Sequence, residues 1–186
     1  MAPSQLAEER RNPLRERLLP LAVNQPKKKR NESGAAHMDE RVARLKTPED
    51  CEQFARNVLE RNRLDLAGEA RKRAVKLRAE AYGAKTQVER ECLEAVYAYE
   101  EVLTAKNGRK TRASITWQII RRHGVLTAVE HAVNREAEFA HHTALLEMGL
   151  QDHAFEAVVV RHPEFFSAHT VQRSRKRVEE WMRTCT

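Results

Sequence analysis

Few residues in this chain are able to stop a helix. Six Gly and six Pro are spread over 186 residues, below average usage for both types, and Ala, Glu, Arg and Leu dominate in their place, a mixture that favours helix nearly everywhere. Cysteine is also scarce. Cys51, Cys92 and Cys185 are an odd number and stand too far apart to form a metal-binding pair, so a disulfide scaffold and a zinc knuckle are both excluded. Reduced thiols in an intracellular protein are the simplest reading, cytoplasmic or nucleoid in a bacterium and nuclear in a eukaryote. No apolar run approaches the ~20 residues that span a bilayer, so no membrane partner is expected. The first twenty residues are charged and interrupted by Pro13 and Pro20, unlike a secretory signal.

A second scarcity is local. From Val102 to Val129 there is no Asp or Glu, in a chain that carries 27 acids. The same window holds Lys106, Arg109, Lys110, Arg112, Arg121, Arg122 and His123. Charged residues make up 33% of the chain and the formal net charge is +7, a balance that speaks to partners and solubility and not to fold. Its distribution is uneven. Residues 1–37 carry eight Lys or Arg against four acids, residues 38–107 fourteen of each, and residues 108–186 twelve against nine.

Residues 1–37 read as a flexible basic N-terminal arm, with Pro13 against any lasting helix and the run Lys27, Lys28, Lys29, Arg30 as a solvated, polyanion-touching cluster. The all-helical domain is expected over residues 38–186. Thr47-Pro48-Glu49-Asp50 opens a helix with a capping hydroxyl, Pro at the first position and acids in the first turn. A second helix from Asp65 to Tyr82 stops at Gly83, and the short connection implies an antiparallel hairpin. Thr86-Gln87-Val88-Glu89 is a capping box for a third helix whose stripe is Val88, Cys92, Leu93, Val96, Tyr99 and Leu103, ended by Gly108. The two Thr caps lie 39 residues apart, but shared cap chemistry accounts for that without a repeat array.

A basic loop then leads into a short helix, with Ser114 as its N-cap and Gly124 as its end. On a wheel at 100° per residue, Ile115, Trp117, Ile119 and Ile120 form an apolar arc, while Ser114, Gln118, Arg121 and Arg122 form the opposite one. Trp117 stands at the border, where a Trp is more often packed in the core, the alternative being a ring that stacks on an exposed base. Beyond Gly124 a helix from Val125 to Asn134 follows. Two short helices meeting at a Gly resemble a helix-turn-helix, but the second one, which should enter the major groove, carries Glu130 while the first carries the arginines. Shorter helices complete the chain: Thr143 to Met148, then Ala154 to Arg161 capped by Asp152, then a final helix capped by Ser167. Phe165 and Phe166 are expected core anchors. The last helix should bury Val171, Val178, Trp181 and Met182 and expose Arg173, Arg175, Lys176 and Arg177 as a second basic cluster. The fold class is all-α, with about seven or eight helices.

Catalytic signatures are missing. There is no Gly-rich phosphate loop and no nucleophile elbow. Six of the eight His fall between His131 and His169, and Glu138-Phe139-Ala140-His141 has the Glu-x-x-His spacing of di-iron bundles, but no second copy exists, so no metal or cofactor is assigned. His153 and Glu156, one turn apart, read as a core His satisfied by a carboxylate. A buried Glu156 would in turn need a partner, which Arg161 or a helix terminus can supply.

The expected function is therefore non-enzymatic binding of nucleic acid, DNA ahead of RNA. Lys106, Arg109, Lys110, Arg112, Arg121 and Arg122 would grip phosphates, with Ser114, Trp117 and Gln118 at base edges and faces. Two alternatives belong to other classes: a helical adaptor for an acidic protein, and a nuclease or metal enzyme using the His-rich second half.

Overall fold

The computed structural model describes residues 38–135 and 140–184. The basic arm, with Lys27, Lys28, Lys29 and Arg30, lies outside the described residues, as do Glu138, Phe139 and Cys185. Those described form nine α-helices and two 3₁₀ turns, with no strand among them. The all-α expectation is met.

Local chemistry starts several of the helices. After a single turn, α1 (Glu40–Ala43), comes α2 (Pro48–Leu59), where the Thr47 hydroxyl accepts from the Asp50 amide at 3.1 Å. Asn62 turns the chain into α3 (Leu64–Tyr82), and α2 and α3 pack as the expected hairpin over Val42, Ala55, Val58, Leu66 and Ala70. Thr86 caps α4 (Gln87–Asn107) by accepting from the Glu89 amide. Glu89 returns the bond to the amide of Lys85, one residue before the cap.

At 21 residues, α4 is the longest helix, about 32 Å from end to end. It is not the one-sided helix its stripe suggested. Val88, Cys92 and Ala95 join a core with Val129, Val133, Val158 and Val159; Ala98 and Val102 join another with Val75, Leu150 and Trp181; Leu93 and Val96 join a third with Trp117 and Ile120. A helix apolar on several sides is one that other helices surround.

Around it stand α5 (Ser114–His123), α6 (Val125–Asn134), α7 (Ala140–Glu147), α8 (Phe155–Arg161) and α9 (Ala168–Thr184), with 3₁₀ turns at Gln151–His153 and Pro163–Phe165. Gly124 alone joins α5 to α6, at φ 88° and ψ 170°, a region open only to glycine. The Val-rich run of α8 is helical, with Val158 and Val159 fully buried.

Several expectations need correction. Ala154, not Asp152, sits at the cap of α8 with no side-chain bond, because Asp152 is drawn to Lys72 Nζ at 2.9 Å. Phe166 is buried but Phe165 is half exposed, and Met182 is exposed while Thr170 and Ser174 occupy the buried side of α9. Ser167 does cap α9, accepting from the Thr170 amide at 3.4 Å.

Candidate nucleic-acid interface

The basic loop is held by the helix that precedes it. Thr104 Oγ1 accepts from the Thr111 amide at 3.0 Å, and Glu100 Oε1 accepts from both the Ala113 amide at 2.9 Å and Trp117 Nε1 at 2.6 Å. Glu100 thus ties the end of the loop and the first turn of α5 to the middle of α4. It stands just before the acid-free window and carries no motif. The one hint of it in the sequence is general: a buried indole N–H needs an acceptor, and the window's own side chains offer only amides, hydroxyls and the His123 imidazole, with no carboxylate.

Trp117 is where the expected site changes most. Its ring is only 2% exposed and lies against Tyr82 and Tyr97, each at 5.4 Å between centroids, with the Arg112 guanidinium 4.9 Å from the ring centre. No face is left for a base. Trp117 is the peg that seats α5, and it pulls the buried arc round with it. Thr116, Trp117 and Ile120 face inward, while Ile115, assigned to the core by the wheel, is 56% exposed. The helix begins one residue earlier than expected, with Ala113 at the cap position and Ser114 as the first helical residue.

The remaining residues of the set lie on the surface. Lys106, Arg109, Lys110, Arg112, Ser114, Gln118, Arg121 and Arg122 are all exposed. Lys110 Nζ reaches Glu52 at 3.8 Å, the outer limit of an ion pair. Among the described residues no carboxylate pairs with Arg109, Arg121 or Arg122. Arg121, Arg122 and His123 form the last turn of α5, where the negative end of the helix dipole favours cations. Gln118 precedes Arg121 and Arg122 by three and four residues, so the three side chains share a face.

No family model matches this chain, nor does any curated protein or solved structure.

The second basic cluster divides. Arg175 and Lys176 are exposed and Arg173 is half-buried, its guanidinium 3.5 Å from the Arg135 carbonyl. Arg177 leaves the set. Its Nη1 donates to Glu156 Oε1 and to the Val133 carbonyl, both at 2.8 Å, and its Nη2 to the Arg135 carbonyl at 3.0 Å. It closes the end of α6 and neutralises a buried Glu156 from 21 residues away, a pairing that chain order conceals. Arg161, expected in that role, instead donates to Glu91 and to the Asp152 carbonyl, both at 2.9 Å. His153 faces Glu94 at 3.4 Å, not Glu156.

Other chemistry has little to build on. No three His, Cys, Asp or Glu side chains among the described residues are grouped to hold a metal ion. Cys51 and Cys92 are buried, and burial raises both thiols, Cys92 to about 12, which keeps them from acting as thiolates. No described helix is long and apolar enough to cross a membrane.

Proposed function

We propose that this protein binds nucleic acid without catalysis, DNA ahead of RNA, through the loop at residues 106–113 and the outer face of α5. The observation that carries the reading is the set of exposed guanidinium groups on Arg109, Arg121 and Arg122, which no carboxylate of the described residues neutralises. Arg44 and Arg63, also exposed, do have acidic neighbours. Arg61, Arg90 and Arg175 have none among the described residues either, and what sets Arg109, Arg121 and Arg122 apart from these is that they stand together in one acid-free window. Ten residues make α5 about 15 Å long. With phosphates advancing ~3.4 Å per nucleotide along one strand, the basic groups at its two ends span about four nucleotides. Gln118 and Ser114 lie between them, on the face that would meet base edges. B-form DNA is favoured because its major groove admits a helix, whereas the A-form major groove is closed to side chains.

The reading is tested by titrating the protein with duplex DNA and with single-stranded RNA at several salt concentrations. Five phosphate contacts, from Arg109, Lys110, Arg112, Arg121 and Arg122, give a log–log slope of about −4.5 on duplex. Absence of affinity for either polymer at low salt, together with a stoichiometric acidic protein that co-purifies, would replace this reading with that of an adaptor.

A further inference from the structure

Behind α5 lies a cavity of about 230 Å³ that the phosphate-gripping surface does not use. An apolar cavity of ~150 Å³ accepts benzene, so this one has room for a substituted or fused ring. Aromatic groups line it. Tyr99 meets Phe155 at 5.8 Å and the edge of His141 at 5.2 Å, and His142 lies flat on Trp181 at 3.9 Å. Exposed Ile115, His131 and Arg135 stand at its rim, which opens it to solvent.

Two buried polar side chains face inward. His153 lines the cavity with its side chain only 9% exposed, and its Nδ1 lies 3.4 Å from Oε2 of Glu94, which does not line it. That leaves Nε2 for the cavity side, with no hydrogen-bond partner among the described residues. Thr116 is likewise buried on the wall with its hydroxyl unpartnered among them. The lining carries no net charge, since Arg177 is held by Glu156 and the charge of Arg135 is offset by that of Glu180. Burial keeps the His142 and His153 imidazoles neutral, that of His153 down to about 4. An uncharged, flat ligand with hydrogen-bonding edges suits such a place better than an anion does.

We propose that this cavity binds a planar heteroaromatic ring of nucleobase size, packed among its aromatic walls with its edge read by His153 Nε2 and the Thr116 hydroxyl. The ring comes from a free nucleoside or from a base turned out of a polynucleotide. The site goes beyond the phosphate-binding reading and does not depend on it.

The experiment follows the amide and imidazole resonances of the full chain by NMR. Adenosine, guanosine, cytidine and uridine form one arm, and short single-stranded oligonucleotides, with and without their bases, form the other. Shifts at Thr116, His142 and His153 with a nucleoside assign a free ligand. Shifts only with a base-bearing oligonucleotide, and none with an abasic chain, assign an extruded base. Ala132→Phe, which fills the cavity from its half-buried wall, abolishes these shifts, and Thr116→Val weakens binding by up to about tenfold, the loss of one hydrogen bond. Should Ala132→Phe not fold, as its thermal melt would show, Thr116→Val carries the test. Arg121→Ala with Arg122→Ala leaves nucleoside binding intact, which separates the two sites. Silence of those resonances in both arms overturns the proposal, as does unchanged binding in the variants.

Discussion

Arg121 and Arg177 are alike in sequence context, each beside another basic residue on a short-range basic run, yet they face opposite environments. Arg121 and Arg122 look outward from the last turn of α5 with no carboxylate partner among the described residues. Replacing both with Ala removes two phosphate contacts and a helix-dipole term of ~0.3–1 kcal/mol each at most. Duplex affinity should fall, the salt slope should shrink by about two, and the thermal midpoint should move little. Arg177→Ala behaves differently, because it strands a Glu156 whose side chain is only 9% exposed. The cost is about 3–5 kcal/mol, read as a lower midpoint in urea. If the Arg121 and Arg122 variant unfolds as readily as that of Arg177, the outer face of α5 is structural. Trp117→Ala belongs with Arg177: it empties the seat between Tyr82 and Tyr97 and removes one of the two hydrogen bonds to Glu100, and should cost about 3–5 kcal/mol.

Elements were legible where a start depended on neighbours in the chain, and illegible where it depended on a distant side chain. Thr47, Thr86 and Ser167 cap their helices as their local sequences indicate. Ser114 and Asp152 had the right chemistry but the wrong job, since Glu100 fixes the start of α5 and Lys72 claims Asp152. The burial of α4 on several sides escaped a single-stripe reading because Ala95 and Ala98 look neutral on a wheel. At the joint of α5 and α6, sequence and structure agree on Gly124. Its φ of 88° with ψ of 170° admits no other residue without strain, and a Cβ there would meet nothing within 4 Å. Gly124→Ala should therefore cost about 1–3 kcal/mol through the backbone alone. Gly68→Ala, inside α3, places its Cβ in ordinary contact at 3.5 Å from Gly149 and Met148. It should raise stability by up to about 1 kcal/mol. Equal effects of the two variants in thermal melts would contradict this distinction.

For the molecule as a whole, the acid-free window was visible in the sequence, but the partners of the buried charges were not, because each is brought in from another helix. Those partners set how stability follows pH. His153 is held neutral by burial, with its value down to about 4 from 6.5. The folded state therefore binds fewer protons than the unfolded one between these limits. The stability this confers is present above pH 6.5 and is lost as the pH falls toward 4, up to about 3 kcal/mol. Glu94 works the other way. Burial raises its carboxyl above 4.5, so on acidification the folded state takes up that proton more readily and recovers part of the loss. Thermal melts between pH 7 and 4 should accordingly show a declining midpoint in the native protein and a steeper decline in Glu94→Gln, where the compensating protonation is gone. His153→Gln should make the upper part of that profile shallower, with burial of His142 left to give part of the decline there, since Asp39, Asp65, Glu91 and Asp152 are carboxylates held low by hydrogen bonds from neighbouring side chains and lose their contribution only at lower pH. A Glu94→Gln profile shallower than that of the native protein would mean that the carboxylate stays ionised beside a charged His153. The pair would then be a buried ion pair and not a neutral imidazole resting on a protonatable acid.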